Sequence, residues 1–155
     1  MASSRPSDYP QANVQTSRGG TGQVCVFVAV DHCTAECIGI HASLSGNRFE
    51  ALEPLRQGVR EHFFLGMASS PGFVREPEGN GVAERFIRTL KENLLWVRHF
   101  ATVAELVEAL REFRRRYNEQ WLIERHGYRT PSQARSDAGR GSKPLEARAR
   151  CRRVG

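Results

Sequence analysis

Two short apolar runs lie in the first third of the sequence. VCVFVAV, residues 24–30, is apolar throughout and rich in β-branched side chains, which is typical of a strand buried on both faces. A polar turn, DHCTA, separates it from ECIGIHA, a second strand candidate. The two runs predict a β-hairpin. Residues 1–22 are rich in Ser, Pro, Gly and Gln and show no period, so they predict a weakly ordered segment.

Three later segments repeat apolar residues at three- and four-residue steps, which predicts amphipathic helices. The first spans about residues 47–63, and Pro54 predicts a late start or a kink in it. The second begins near Gly81. The third begins after Thr102, which can cap it while Glu105 completes a capping box. The predicted apolar faces are Phe49, Leu52, Leu55, Val59 and Phe63 for the first helix, Ala83, Phe86, Ile87, Leu90, Leu94 and Val97 for the second, and Val103, Leu106, Leu110, Phe113 and Tyr117 for the third.

The stretch between the first two helices, FFLGMASSPGFVREPEGN, starts apolar and then turns to Gly, Pro and Ser, so it predicts a short strand followed by a loop. The order strand, strand, helix, strand, helix, helix indicates an α/β or α+β domain with helices packed on a small sheet. Residues 136–155 are rich in Gly, Ala and Arg, and we expect a disordered basic tail there.

Length and charge narrow the class of protein. The length of 155 residues suits one domain. Hydrophobic residues make up 39% of the chain and charged residues 26%, which is typical of a globular protein. The net charge of +6 favours an acidic partner such as nucleic acid, or equally a solvated, mildly basic surface. No apolar run approaches the length of a membrane span, and MASSRPSDYPQAN lacks the hydrophobic stretch of a secretory signal. We therefore expect no membrane partner and a cytoplasmic location.

Two groups of residues invite a chemical interpretation on spacing alone. HCTAEC, residues 32–37, is close to metal-ligand spacing, but structural zinc usually takes its ligands from two knuckles and no second knuckle follows. Glu84 lies near the start of the second helix, where an acid favours the helix dipole and can pair with Arg88. Neither observation requires a catalytic site.

Longer stretches resemble a known family. PEGNGVAERFIRTLKENLLW and YNEQWLIERHGYRTPSQAR closely resemble the C-terminal half of the integrase core of bacterial insertion-sequence (DDE-type) transposases, which belong to the retroviral integrase superfamily. VFVAVDHCTAECIGIHAS and RFEALEPLRQGV resemble the central hairpin and first helix of the same core. The resemblance implies an α/β, RNase H-like integrase core over residues 23–135, between the segments 1–22 and 136–155.

The resemblance also implies a chemistry. The family uses two Asp and one Glu to hold two Mg²⁺ (or Mn²⁺) ions, which activate a water or a DNA 3′-hydroxyl for attack on a phosphodiester. Glu84 matches the catalytic, metal-binding Glu, and Asn80 and Gly81 match the loop before it. Asp31 resembles a recurrent, supporting Asp at the end of the second strand. Arg85, Arg88 and Lys91 would then lie where DNA phosphates pass.

A basic run on the third helix is a second candidate for DNA binding. Arg111, Arg114, Arg115 and Arg116 cluster near Tyr117, and we expect Arg114 and Arg115 to contact DNA. The alternative interpretation of this run is a solvated helix face.

The sequence departs from the family at both aspartates. The region matching the first strand, QANVQTSRGG, contains no Asp, and Ala12 or Asn13 falls near the expected place. There is no Asp between Asp31 and Asp137, as if a block had been deleted between Phe63 and Phe64. This block would hold the fourth strand, its Asp and the following helix. We therefore expect an incomplete core, with inner sheet edges exposed unless the first and fifth strands pair.

Three functions are consistent with the resemblance. The first is transposition, meaning DNA integration by metal-dependent strand transfer at transposon ends. The second is a non-catalytic remnant that binds DNA or oligomerises, either with itself or with an intact transposase. The third is a decayed reading frame without activity. Loss of two of three catalytic carboxylates predicts a catalytically defective chain, and the sequence does not decide between the second and third functions.

Overall fold

The computed structural model describes residues 11–15, 21–62 and 77–140. These residues form a mixed α/β structure in which helices flank a small antiparallel sheet. Among the helices within these ranges, none is long and apolar enough to cross a membrane. The elements are strands β1 (Gln11–Gln15), β2 (Thr21–Val30) and β3 (Cys37–Ser43), and helices α1 (Arg48–Ala51), α2 (Glu53–His62), α3 (Pro77–Leu90), α4 (Val103–Gln120) and α5 (Pro131–Arg140).

The described part of the sheet has three strands in the order β1-β2-β3. Strands β2 and β3 pair antiparallel, as the hairpin prediction requires. Strand β1 is a correction, because it lies inside the segment predicted to be weakly ordered. It pairs antiparallel with β2, with Ala12 opposite Val24. Ala12 and Val14 are buried while Asn13 is exposed, so β1 buries one face only.

The outer edge of β1 meets the chain again just before α4. Val14 forms a parallel bridge with Phe100, whose side chain is buried. This is an isolated bridge, and the predicted pairing of the first and fifth strands stays a prediction. The strand predicted between residues 63 and 80 falls almost entirely outside the described ranges.

The first predicted helix forms as two pieces. Helix α1 ends at Ala51, and α2 begins at Glu53, immediately before Pro54, so the predicted late start or kink takes the form of a break at Leu52. The predicted buried face is wrong. Phe49 is 62% exposed, Leu52 44% and Val59 42%; Phe63 is not among the described residues.

Helix α2 instead packs on β3 through its small residues. Pro54 and Gly58 are buried, and Gly58 lies against Ile38. The backbone of Pro54 passes so close to Gly39 that a Cβ atom at residue 39 would lie 1.9 Å from the Pro54 carbonyl oxygen. Because the two backbones approach this closely, there is no room for Leu or Phe between them, and the larger apolar side chains face outward.

Helix α3 begins earlier than the sequence predicts. It starts at Pro77, a residue whose fixed φ suits the first helical position. Asn80 and Gly81 therefore lie within the first turns of a helix, which corrects the prediction of a loop there. A single π-helical turn, Lys91–Leu95, follows, with the Trp96 N–H donating to the Lys91 carbonyl at 2.9 Å.

The π-helical turn also changes which side chains enter the core. Phe86, Leu90 and Leu94 are buried as predicted. The extra residue of the wide turn then brings Leu95 inward and leaves Val97 69% exposed, so the predicted position of Val97 is wrong.

Helix α4 follows its predicted start closely. The Thr102 side chain accepts a hydrogen bond from the Glu105 N–H at 3.1 Å. Glu105 Oε2 accepts the N–H of Ala101 at 2.9 Å, whereas a capping box would use the N–H of Thr102, one residue later. Glu105 Oε1 pairs with Arg98 at 2.9 Å. The hydrogen bond from Ala101 and then that from Arg98 lower the pKa of Glu105.

Polar bonds and apolar packing both hold α4 against the sheet. Asn118 Oδ1 accepts the Cys37 N–H at 2.9 Å, and its Nδ2 donates to the Cys37 carbonyl at 3.0 Å. Burial raises the pKa of the Cys37 thiol to about 12. The apolar face of α4 joins one core cluster with β1, β2, β3, α3 and the π-helical turn, and its buried members are Leu106, Ala109, Leu110, Phe113 and Tyr117.

The end of the described chain is helical. Helix α5 runs to Arg140, so residues 136–140 are not part of a disordered tail as predicted. Residues 141–155 are not described.

The two glycines Gly39 and Gly81 provide a matched test of this fold. Gly39→Ala should lower the free energy of unfolding by about 1–3 kcal/mol or more, because a backbone carbonyl occupies the space of the new Cβ. Gly81→Ala should raise it by about 0.5–1 kcal/mol, since the position is helical and a Cβ there meets nothing within 4 Å. Urea unfolding followed by circular dichroism measures both changes. A neutral Gly39→Ala would contradict the close approach, and a destabilising Gly81→Ala would contradict the early start of α3.

Candidate functional site

Glu84 lies on the second turn of α3 with its side chain exposed, and Arg85 beside it is exposed as well. The predicted pair between Glu84 and Arg88 does not form. Arg88 Nε instead contacts Glu92 Oε1 at 2.9 Å, one turn further along the helix. Glu84 has no ion pair among the described residues, so its carboxylate faces solvent beside an arginine.

Asp31 has a structural task at the end of β2. Its Oδ1 accepts the Cys33 N–H at 3.2 Å and its Oδ2 accepts the Thr34 hydroxyl at 2.6 Å, which closes the turn into β3. Arg135 Nη2 lies 3.9 Å from the same Oδ2 and also pairs with Glu36, a buried acid of that turn. The carboxylate of Asp31 therefore holds the β2–β3 turn against α5.

The described residues do not fit a pair of divalent metal ions. Such a site needs several carboxylate oxygens converging on one point. Among the residues that the structure describes, no group of three or more His, Cys, Asp or Glu side chains could hold a metal ion. Both oxygens of Asp31 already accept hydrogen bonds, and Asn13, near the place where the sequence analysis expects the family's first Asp, carries no carboxylate.

Arg114, predicted to bind DNA, faces the interior. Its Nε donates to the Cys37 carbonyl and its Nη2 to the Ile38 carbonyl, both at 2.9 Å. Nη2 also pairs with Glu61 Oε2 at 2.6 Å, and the side chain is only 16% exposed. The prediction is wrong because helix packing turns this position of α4 toward β3 and α2.

The outward arginines of α4 lie among carboxylates. Arg111 Nη1 contacts Glu108 Oε1 at 2.6 Å, and Arg115 Nη1 lies 3.7 Å from Glu119 Oε2. Both pairs are more than half exposed and follow the helical i,i+3 and i,i+4 spacing. Arg111 and Arg115 therefore lie in exposed ion pairs on a solvated helix face, the alternative interpretation of the basic run.

A second group of positive charges lies where α3 meets the loop after α4. Arg125, on a 3₁₀ turn (Glu124–His126), donates through Nη2 to the carbonyls of His32 and Cys33, the latter at 3.2 Å. Burial and then the neighbouring Arg85 guanidinium lower the pKa of Arg125. We call Arg85 and Arg125 the Arg85–Arg125 cluster.

The field of this cluster extends to His126. Its pKa is lowered, first by burial and then by Arg125. Burial disfavours the charged imidazole, and the Arg125 guanidinium acts in the same direction. Lys91, another predicted phosphate contact, lies half-buried in the π-helical turn.

The sequence does not single out Arg125. WLIERHGYR has no helical period that would mark a face, and its charges are isolated within a loop. The only available signal is that the segment lies within a stretch that resembles the family. Its position beside Arg85 depends on the packing of α4 and could not have been predicted from spacing.

A comparison with protein families matches the part of the chain that contains this surface. Residues 65–131 match the family model described as "Integrase core domain". The chain carries an integrase core segment. The match indicates a transposase- or integrase-type function, with DNA as the partner, and such cores generally use divalent metals. No match was found among curated proteins or among solved structures.

The integrase core segment contains the discussed residues of α3, α4 and the loop after α4, whereas Asp31, Glu36 and Arg135 lie outside it. Its described part includes α3, the π-helical turn, α4 and the loop through residue 130, and thus Glu84, Arg85, Arg115 and Arg125. The hairpin and the first two helices lie before the match. Their resemblance to the same core, and the deletion between Phe63 and Phe64, stay predictions.

Arg114 and Arg115 are neighbours with opposite expected behaviour. Arg114→Ala should lower the free energy of unfolding by about 2–3 kcal/mol, because it removes charge-assisted bonds to two carbonyls of β3. Arg115→Ala should change it by less than about 0.5 kcal/mol, since its ion pair is exposed. Chemical denaturation of both variants measures the difference. Equal stabilities would show that Arg114 does not face the sheet.

Proposed function

We propose that this integrase core protein binds DNA without catalysing strand transfer, and that the Arg85–Arg125 cluster is the main phosphate contact. The observation that carries the proposal is the use of Asp31 in the β2–β3 turn. This Asp is the last one before Asp137, so no other aspartate of the intervening chain is available to join Glu84.

The chemistry of strand transfer requires more ligands than this. Two divalent ions must be held close together so that one activates the attacking oxygen and the other stabilises the leaving oxygen. A single exposed carboxylate on a helix supplies neither the charge nor the geometry. In this proposal Glu84 is an exposed acid beside the DNA path, with no group of metal ligands around it among the residues that the structure describes.

Phosphate binding needs only positive charge at the surface, and the cluster offers it in a fixed position. Two carbonyl oxygens orient the Arg125 guanidinium, and Arg85 is exposed with no ion pair among the described residues. Asp31 raises the pKa of Arg125, but by less than Arg85 lowers it. Guanidinium groups match phosphate oxygens well, so such a pair attracts a nucleic acid backbone.

Salt and metal titrations of DNA binding test the proposal. Affinity for a short duplex, measured by fluorescence anisotropy, should fall steeply with salt and be equal in Mg²⁺ and in EDTA at matched ionic strength. Arg85→Ala should reduce the slope of log affinity against log salt by about one, the loss of one phosphate contact. Arg111→Ala is the matched control, because its charge is already paired with Glu108, and its slope should stay unchanged.

Two results would overturn the proposal. Mg²⁺- or Mn²⁺-dependent cleavage or joining of labelled DNA, abolished in Glu84→Gln, would show an active recombinase with ligands in the part of the chain that the structure does not describe. A purified chain that melts cooperatively but binds no DNA at low salt would show a folded protein without this function.

A further inference from the structure

Trp121 lies at the C-terminal end of α4 on a rigid aromatic support. Its ring stacks on Tyr117 with the centroids 6.0 Å apart and the planes at 28°. Tyr117 is 4% exposed and packs edge-to-face on Phe86 at 4.7 Å. Trp121 itself is 39% exposed, so a firmly held indole ring keeps part of its surface in solvent.

The same tyrosine brings Trp121 next to the Arg85–Arg125 cluster. Burial raises the pKa of Tyr117 to about 12, while Arg125 and Arg85 both act on its hydroxyl in the opposite direction. Geometry brings the arginines to the same region. Phe86, which packs on Tyr117 at 4.7 Å, directly follows Arg85 on α3, and Arg125 follows Trp121 by four residues in the loop after α4.

The loop that follows is tightly folded and presents further apolar surface. The Ile123 N–H donates to the Arg129 carbonyl at 3.0 Å, and the Tyr128 N–H donates to the Ile123 carbonyl at 3.1 Å. Gly127 and Tyr128 both adopt the left-handed conformation, with φ of 65° and 59°. Within this loop, Leu122 is 59% exposed and Tyr128 66% exposed. Exposed aromatic groups beside positive charge are the combination that proteins use for unpaired nucleotides.

We propose that Trp121 and the Arg85–Arg125 cluster form a binding site for unpaired nucleotides of DNA. One base stacks on the exposed surface of Trp121, while its phosphate lies against the two guanidinium groups. A base inside a duplex has both faces covered by its neighbours, so this site favours single strands and frayed ends. The inference rests on the proposed DNA binding and adds a preference that phosphate contacts alone do not produce.

The chain offers a matched pair of tryptophans for the test. Trp121 and Trp96 are its two tryptophans, and Trp96 is 68% exposed on the π-helical side of α3. Single-stranded oligo(dT) should quench tryptophan fluorescence in the wild type and in Trp96→Phe, because Trp121 remains. Trp121→Phe should abolish most of the quenching, since the remaining indole lies outside the site.

Affinity gives a second measurement on the full-length chain. Trp121→Ala should weaken binding of oligo(dT) by roughly tenfold or more, the usual loss when an aromatic base platform is removed. Binding of a blunt duplex of the same length, which depends on the phosphate contacts, should change far less. Trp121→Phe keeps a ring on Tyr117 and should retain most of the affinity, which separates loss of stacking from loss of folding.

The outcomes distinguish this inference from the proposed function. If the wild type binds neither duplex nor oligo(dT), both fail. If it binds duplex DNA with the expected salt dependence but Trp96 is the quenched tryptophan, the stacking site is wrong and DNA binding stands. Equal losses for duplex and single strand in Trp121→Ala would likewise overturn the preference for unpaired nucleotides.

Discussion

The docking of α4 on the first residues of β3 is the interaction on which the rest of this structure depends. Asn118 satisfies both backbone groups of Cys37, and Arg114 donates to the carbonyls of Cys37 and Ile38. Unpaired backbone groups would be costly at this buried position, so these bonds determine where α4 lies and how it is rotated. The rotation in turn places Tyr117 in the core, with Trp121 and the following loop at the surface.

This docking also separates two kinds of positive charge. Arg111 and Arg115 on the outer face of α4 form exposed ion pairs with glutamates. Arg114 instead pairs with Glu61 in the interface between α4 and α2 and is largely buried. The Arg85–Arg125 cluster is separate from this face and lies between α3 and the loop after α4.

Local patterns predicted most of the elements, and they failed where two backbones meet. The hairpin of β2 and β3 and the start of α4 at Thr102 follow from short-range signals. The outward face of α2 does not, because Gly39 and Gly58 let the helix approach the sheet more closely than its large apolar side chains allow. The π-helical turn after α3 is a similar case, since its extra residue changes which of the following side chains face the core: Leu95 is buried and Val97 is exposed.

The sequence by itself determined that residues 65–131 match the integrase core model and that no Asp lies between Asp31 and Asp137. Both findings depend on residue order alone. Only the tertiary structure decided how the remaining charges are used. Asp31 closes a turn, Arg114 binds carbonyls, and Arg125 lies beside Arg85. The physical reason is that the effect of a charge depends on its neighbours in space, and elements far apart in the sequence supply those neighbours.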